Sequence, residues 1–572
     1  MLEKINGKKK LLFHCFIVSL FLVLVYTRFI GLDWGLPYPM HPDERNMANA
    51  IQSLNCGISS ASWRINFQEC FNPHFFAYGQ FPLYLGYLIT FILKLFDGDL
   101  KLPISFQEAT IGLRIISAVA SIINVYVLLK ILKIFNFQFS IFNKFSKLIF
   151  QLFCLLILIF SPYAIQFSHF GTTESLLMMF YSATIYFSLL FIDKKINTLS
   201  FIVNSSMLVG LSIATKVSSL LFLIVPFLVL LFSKEILEHK TSISAPKNSL
   251  YFFGYKLINK IIDLTIMVFL SLVIFFIFSP HNFINFTDFI SSMNYESEVA
   301  LGKSLVFYTR QFFNTKPFYF QLTKIFPYVF GWPVFLMGLM GLIGTNWKDK
   351  KINLLRFAFL IYFIPCAIIY AKWSRFMSPI FPLITIFAVL FLENLITKLN
   401  HKFWIPAFAG MTIILIIPGI SYLSIYQNPD IRFQASDWIY KNIPNNSYVL
   451  SETANVVDIP MINPKSKIQN PNKNFQVISF NFYDLDQSQE LQLELSNHLE
   501  KADYIFVPSR RIFANHPKEK YPILNKYYED LFSGKLGFEK VAEFSAGLND
   551  EEAEETWTVF DHPVIRIYKK VK

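Results

Sequence analysis

Runs of about 17–23 consecutive apolar residues recur along most of this chain, and no other feature restricts its fold as tightly. A helix of that length crosses a hydrocarbon core of ~30 Å, where only helices or closed barrels satisfy their own backbone polar groups. Candidate spans cover residues 11–30, 111–132, 148–167, 175–192, 199–215, 217–232, 263–278, 325–343, 353–370, 378–397 and 403–426, about eleven in all. Only 16% of the residues are charged, against ~25% in soluble domains, and 54% are apolar, so a purely soluble fold is excluded. The formal charge of +12 lies mostly in short clusters between the runs, where it sets topology and calls for no nucleic acid. The chain reads as a mainly α-helical, multi-pass protein of the plasma or inner membrane.

Lys8, Lys9 and Lys10 precede the first run, which is long for a secretory signal core and ends in Arg28-Phe29-Ile30-Gly31 without a small-residue cleavage site. It is therefore expected to be retained, with its N-terminus cytoplasmic. Residues 81–96 are short, begin beside Pro82, and fit a helix lying along the surface as well as a crossing. If they do not cross, the clusters Lys130–Lys147, Lys194–Lys195, Lys234–Lys260, Lys348–Arg356 and Lys398–Lys402 all fall on the cytoplasmic side. Positive charge favours that side, so this topology is preferred. Residues 1–426 then form the membrane domain, with a long first outer loop over 31–110. Residues 427–572 form an extracytoplasmic tail, read as a small α/β domain. A helix around Trp438 and strands at 448–450, 476–480, 504–507 and 564–568 are predicted there.

Cys15, Cys154 and Cys366 lie in apolar spans, where a thiol serves as a small hydrophobe. Cys56 and Cys70 share the long outer loop. On an oxidising side they are either two unpaired thiols or a disulfide closing about fifteen residues, which stabilises by ~3 kcal/mol in the chain-entropy model.

The stretch Met40-His41-Pro42-Asp43-Glu44-Arg45, just past the first span, sets two carboxylates at the membrane boundary. Proline biases His41 to extended backbone, and a helix through residues 46–50 would favour an ionised Asp43 at its start. Such a carboxylate can serve as a general base, or simply cap the helix. Other polar groups share this face: His74 and Tyr78 in an aromatic loop, Arg114, His169, Glu174, Lys216, His281, Lys372 and Arg375. Singly each can anchor a helix end, but ionisable groups at membrane depth point to function. Carboxylates facing several cations suit a lipid-linked sugar phosphate. The cations would stabilise the departing phosphate, and the carboxylate would activate an acceptor hydroxyl from the opposite side of the anomeric carbon, giving inversion.

In its order of motifs the chain resembles the GT-C membrane glycosyltransferases, the group containing protein O-mannosyltransferases and the lipid A aminoarabinose transferase. The resemblance covers about the first 400 residues. It rests on His41-Pro42-Asp43-Glu44, Asn72-Pro73-His74-Phe75-Phe76-Ala77-Tyr78, Leu113-Arg114-Ile115-Ile116-Ser117-Ala118, Ser168-His169-Phe170-Gly171-Thr172-Thr173-Glu174, Gly210–Lys216 and Arg375-Phe376-Met377-Ser378-Pro379. It implies Asp43 as base with Glu44 as its partner, and Arg114 near the donor phosphate. Lys216, Lys372 and Arg375 join Arg114 as phosphate candidates from their sidedness. His41, His74, Tyr78, His169, Glu174 and His281 are expected to line the site. The donor is expected to be a polyprenyl-phosphate sugar and the acceptor an outer-face protein hydroxyl or envelope glycolipid. The chain lacks the Trp-Trp-Asp-Tyr-Gly signature of oligosaccharyltransferases, which argues against transfer of a preassembled oligosaccharide to asparagine.

No cofactor is required by this reading. His41, Asp43, Glu44, His74, His169 and Glu174 are metal-ligating types, yet no local spacing demands a divalent ion. Two rival readings keep the topology: a transporter or lipid flippase without sugar transfer, and a scaffold whose tail binds envelope partners.

Overall fold

The computed structural model describes residues 7–54, 69–98, 104–135, 144–233, 250–397, 404–453, 458–461 and 473–571. The chain runs α1 (Gly7–Phe29), α2 (Pro42–Ser53), α3 (Phe81–Asp97), α4 (Phe106–Ile134), α5 (Lys144–Ile159), α6 (Pro162–His169), α7 (Glu174–Ile192) and α8 (Thr198–Thr215). It continues through α9 (Ile224–Phe232), α10 (Leu250–Phe278), α11 (His281–Ile284), α12 (Phe286–Ala300), α13 (Phe326–Phe330), α14 (Trp332–Gly344), α15 (Lys350–Ile368), α16 (Ser374–Met377), α17 (Phe381–Thr397) and α18 (Trp404–Gln427). By length and composition, seven helices among the described residues can cross a membrane, or nine if each of two bent pairs is one span. Two further expected spans, Cys15–Phe29 and Val217–Phe232, are apolar but shorter, so the count by this measure is below eleven.

The breaks have local causes. Pro162 lacks the N–H that would continue α5, and α6 departs at 44°. Between α13 and α14 the axis turns by 116°, through Gly331 at φ +74°. The 3-10 turn Val217–Leu223 follows α8, with Lys216 extended at φ −158° between them.

One end of the bundle gathers the segment after α1, the start of α4, the α6–α7 turn, the α8 break, the end of α10 and the start of α16. At the other end Lys351, in the first turn of α15, pairs with Asp193 at the end of α7 (3.4 Å) and reaches the carbonyl of Ile134 at the end of α4 (3.5 Å). Helix α3 starts and finishes at the first end: Gln80 meets Ser279 and Asn282, and Lys94 meets Glu108 at 3.1 Å. It lies antiparallel on α4, where Gly112 admits Thr90 and the Gly86 carbonyl.

The C-terminal residues fold into α19 (Ile431–Asn442), β1 (Tyr448–Glu452), β2 (Gln476–Phe480), α20 (Gln489–Lys501), β3 (Tyr504–Val507), α21 (Pro522–Phe532), β4 (Phe538–Phe544), α22 (Glu555–Thr558) and β5 (Ile565–Lys570). The sheet order is β2-β1-β3-β5-β4; β2, β1 and β3 are parallel, and β5 and β4 antiparallel. Leu450 sits between Ile478 and Ile505, and Phe506 pairs with Ile567. β2 was expected to be buried but is an edge strand with most residues exposed. β4 was not expected, because Glu539, Lys540 and Glu543 give this other edge a polar sequence.

A Cβ at Gly331 would come 2.5 Å from Pro418 Cγ, on a backbone that side chains rarely adopt. Gly331→Ala should therefore destabilise the bundle by about 1–3 kcal/mol, read as a lower thermal midpoint in detergent.

Candidate active site

Pro42 occupies the first turn of α2, where its missing N–H is no loss, and His41 caps the helix through Nδ1, which accepts from the Glu44 amide at 3.5 Å. The His41 ring packs between Phe170 (4.7 Å) and Phe560 (4.4 Å). Successive helical residues point about 100° apart, so the adjacent carboxylates part company. Glu44 turns into the core and Asp43 into a cavity.

Glu44 and Arg114 form a bidentate pair, with Nε–Oε1 and Nη2–Oε2 both 2.7 Å. Both side chains are almost wholly buried. The Gly171 amide donates to Glu44 Oε1 at 2.7 Å, and Arg114 Nη1 donates to the carbonyls of Leu32 (2.6 Å) and Trp34 (2.9 Å). A Cβ on residue 171 would stand 2.8 Å from that carboxylate oxygen, so glycine permits the approach. Arg114 was expected near the donor phosphate and Glu44 as the partner of Asp43; the structure engages the two with each other. Neither lines the cavity, and together they tie four segments around the site.

The cavity, of about 320 Å³, is walled by Asp43 and Arg45 of α2, Tyr295 and Glu296 of α12, and Tyr308, Trp373 and Arg375. Arg511, Glu555 and Phe560 of the C-terminal domain close it. Asp43 is ion-paired with Arg375, whose guanidinium lies 4.9 Å from the Trp373 ring centre and whose buried Nε has no partner among the described residues. Arg511 Nε pairs with Glu555 Oε1 at 3.0 Å, and Asn515 donates to the other oxygen at 2.6 Å. Burial and neighbouring Arg511 both lower the pKa of half-buried Arg45, a condition that an incoming anion relieves.

Lys216 stands behind this wall, its ammonium over the rings of Tyr78 (5.0 Å) and Phe376 (5.1 Å). Tyr78 itself lines the cavity. The outer loop reaches the α8 break through Gly79, whose amide donates to Thr215 at 3.0 Å and whose Cβ position falls on the Ala214 carbonyl. The other expected residues lie apart from the cavity lining. Lys372 donates to the Tyr370 carbonyl at 3.0 Å, and exposed His74 pairs with Glu69 at 3.0 Å. His169 stacks on Tyr426 at 3.6 Å, and buried Glu174 meets the Thr173 hydroxyl at 3.4 Å. His281 joins Asn285 Oδ1 and the Cys70 carbonyl, both at 2.9 Å. Cys70 is disulfide-bonded, and Cys56 lies outside the described residues. Among the described residues no three His, Cys, Asp or Glu side chains gather as a metal site.

Residues 554–562 join the C-terminal domain to the bundle. Glu554 accepts from the Ser374 amide (2.9 Å), and the Trp557 carbonyl accepts from Gln166 (2.7 Å). Asp561 accepts from Tyr422 (2.8 Å) and Tyr426 (2.7 Å). His562 lies between Asp561 (2.6 Å) and Asp550 (2.9 Å). Sequence reading missed Arg45, Glu296, Tyr308, Arg511, Glu555 and Phe560 as site residues. The Arg510-Arg511 and Glu554-Glu555 pairs were visible, but nothing local aimed them at residue 43.

No family model and no curated protein matches this chain. Among solved structures, ArnT from Cupriavidus metallidurans in the apo state shares 12% identity over 97% of this chain and 98% of its own, with a TM-score of 0.45. Its form bound to undecaprenyl phosphate shares 13% identity, covers 96% and 98%, and has the same TM-score of 0.45. The archaeal oligosaccharyltransferase AglB from Archaeoglobus fulgidus, in complex with an inhibitory peptide and a dolichol-phosphate, shares 14% identity over 91% of this chain and 73% of its own, at 0.45. Likeness at this level supplies no residue equivalences.

Two predictions follow from the charged contacts. Glu44→Gln leaves buried Arg114 without its counter-charge, so it should destabilise by about 3–5 kcal/mol; the double variant Glu44→Gln/Arg114→Met should recover part of that loss in thermal unfolding. For His562, burial alone would lower the pKa, but Asp550 and Asp561 outweigh it and raise the value to about 10. This ionised cluster stabilises docking fully below the ~6.5 of an unfolded histidine and loses that contribution as pH rises through about 10. Protease resistance of the C-terminal domain should fall across that upper range, and His562→Gln should flatten the profile.

Proposed function

We propose that this protein transfers a single sugar, with inversion, from a polyprenyl phosphate to an extracytoplasmic protein hydroxyl or envelope glycolipid. The observation that carries the reading is the Asp43–Arg375 pair on the wall of a cavity at one end of an apolar bundle, with Arg45 and Arg511 on the same walls. Undecaprenyl phosphate and dolichol-phosphate, bound in the ArnT and AglB structures, exemplify the lipid class meant. The lysine clusters favour a cytoplasmic N-terminus, which puts the cavity and residues 427–572 outside.

The donor phosphate competes with Asp43 for Arg375. Once the guanidinium turns to the phosphate, Asp43 loses its counter-cation and becomes a stronger base. The acceptor O–H gives its proton to Asp43 while the oxygen bonds to the anomeric carbon. The carbon–oxygen bond to phosphate breaks with its electron pair moving to the phosphate, which Arg375, Arg45 and Arg511 hold. Tyr78, Tyr308 and Trp373 supply flat apolar surface to the sugar ring. Glu44 and Arg114 act on this chemistry by fixing α2, and Lys216 supports the wall at Tyr78.

Asp43→Asn should lower transfer by about 10²–10⁴-fold while donor binding is kept or tightened, because Arg375 is then released. Product mass spectrometry with a panel of polyprenyl-phosphate sugars, together with a polyprenyl phosphate titration, tests both halves. Full transfer by Asp43→Asn overturns the base assignment. The broken helices at Pro162 and Gly331 favour one rival, a flippase. Lipid movement between leaflets without glycosylated product would establish it.

A further inference from the structure

The proposed chemistry leaves Glu296, a charged residue of the cavity wall, without a task. It lines the cavity from α12 together with Tyr295 and Val299. Val299 is buried in a cluster with Phe312, Ala371 and Trp373, and the Ala371 amide donates to the Ala300 carbonyl at 3.0 Å. The last turn of α12 is thereby fastened beside the Trp373–Arg375 segment. Tyr295 and Glu296 stand four and three residues before Val299, which puts all three on one side of the helix. Glu296 is exposed there, so a ligand in the cavity can reach it.

Its surroundings decide what it can meet. The hydroxyls of Tyr295 and Tyr308 are 3.3 Å apart, and the Tyr308 ring centre lies 6.1 Å from that of Trp373. Desolvation by the surrounding walls raises the Glu296 carboxyl above its ordinary value, and Lys216 works against that rise. Lys216 thus balances the carboxylate from behind the wall. A cationic sugar substituent would gain little there and would share the cavity with Arg45, Arg375 and Arg511. Neutral hydroxyls escape that repulsion. A carboxylate accepts from two of them at once, in hydrogen bonds roughly twice as strong as neutral ones. At about 320 Å³ the cavity sits at the small end of the ~300–1,000 Å³ of ligand pockets, a size for one sugar ring and not for an oligosaccharide.

We propose that Glu296 selects the sugar of the donor, accepting hydrogen bonds from hydroxyls of a neutral monosaccharide on the part of the ring remote from the phosphate. This deepens the reading of the cavity as a site for a lipid-linked sugar phosphate and rests on it. The arginines hold the phosphate end, and α12 reads the other end. A site built to bond a hydroxyl rejects an analogue lacking it far more strongly than an apolar pocket rejects a change of size, so Glu296 governs which donor is used.

The test is native mass spectrometry of the full chain, titrated with undecaprenyl phosphate, with its glucosyl, mannosyl and galactosyl forms, and with the cationic glucosaminyl form. Wild type should bind at least one neutral sugar form more tightly than undecaprenyl phosphate itself. Glu296→Ala should lose about 10–100-fold in affinity for that form, the worth of a hydrogen bond to a charged group, while undecaprenyl phosphate binds as before. Glu296→Gln keeps the shape and one acceptor oxygen, and should lose less. Both variants should keep the wild-type thermal midpoint. Three outcomes overturn the assignment of Glu296 and leave the lipid-phosphate reading intact: no gain from any neutral sugar, preference for the glucosaminyl form, or undiminished hexosyl binding by Glu296→Ala. Failure of wild type to bind undecaprenyl phosphate in any form overturns both.

Discussion

The buried pair of Glu44 and Arg114 is the contact on which the cavity end of the bundle depends. Two charges removed from water gain little net stability from one another, but leaving either alone is expensive. Backbone groups supply further partners to the pair: Gly171 gives an N–H, and Leu32 and Trp34 give carbonyls. The result joins α2, α4 and two loops at a single point. Asp43, one residue away on the same helix, takes its direction from that anchor and from the His41 cap.

A second consequence concerns the division of the chain. The C-terminal residues fold around their own sheet, yet their most buried segment, 554–562, belongs as much to the bundle as to that sheet. Phe560 touches His41, Glu555 holds Arg511 beside the cavity, and Asp561 bonds two tyrosines of α18. The loops after the parallel strands β2 and β3 also face the membrane domain, where Arg310 pairs with Asp484 at 3.3 Å and Arg511 enters the cavity. Carboxyl ends of parallel strands are the usual place for ligands in open sheets, and here they meet the cavity at the end of the bundle.

Much of this was legible from residues alone. The eleven apolar runs coincide with helical segments, because burying backbone in hydrocarbon leaves few alternatives. The start of α2 was marked by His41-Pro42-Asp43, and four of five strands by short β-branched and aromatic runs. The bends were less visible: Pro162 and Gly331 could be seen, but angles of 44° and 116° come from packing against other helices. Sidedness grouped the site cations, and it could not say which were free to meet a ligand. Arg114 was engaged by Glu44, Lys372 by a carbonyl, and Lys216 by two aromatic rings. Arg511 and Glu555 were invisible as site residues because about 470 or more residues separate them from Asp43, and no local pattern encodes so distant a contact.

The position of residues 554–562 also has a meaning for biogenesis. A chain that inserts its helices in order has α2, α4 and the basic groups of the bundle in place long before residues 554–562 leave the ribosome. Until that stretch is seated beside His41, the chamber has an open flank where Glu555 and Phe560 would stand. The chamber is thus completed late in synthesis, and a product that stops before residue 554 would keep the helices of the bundle but lack one wall of the cavity.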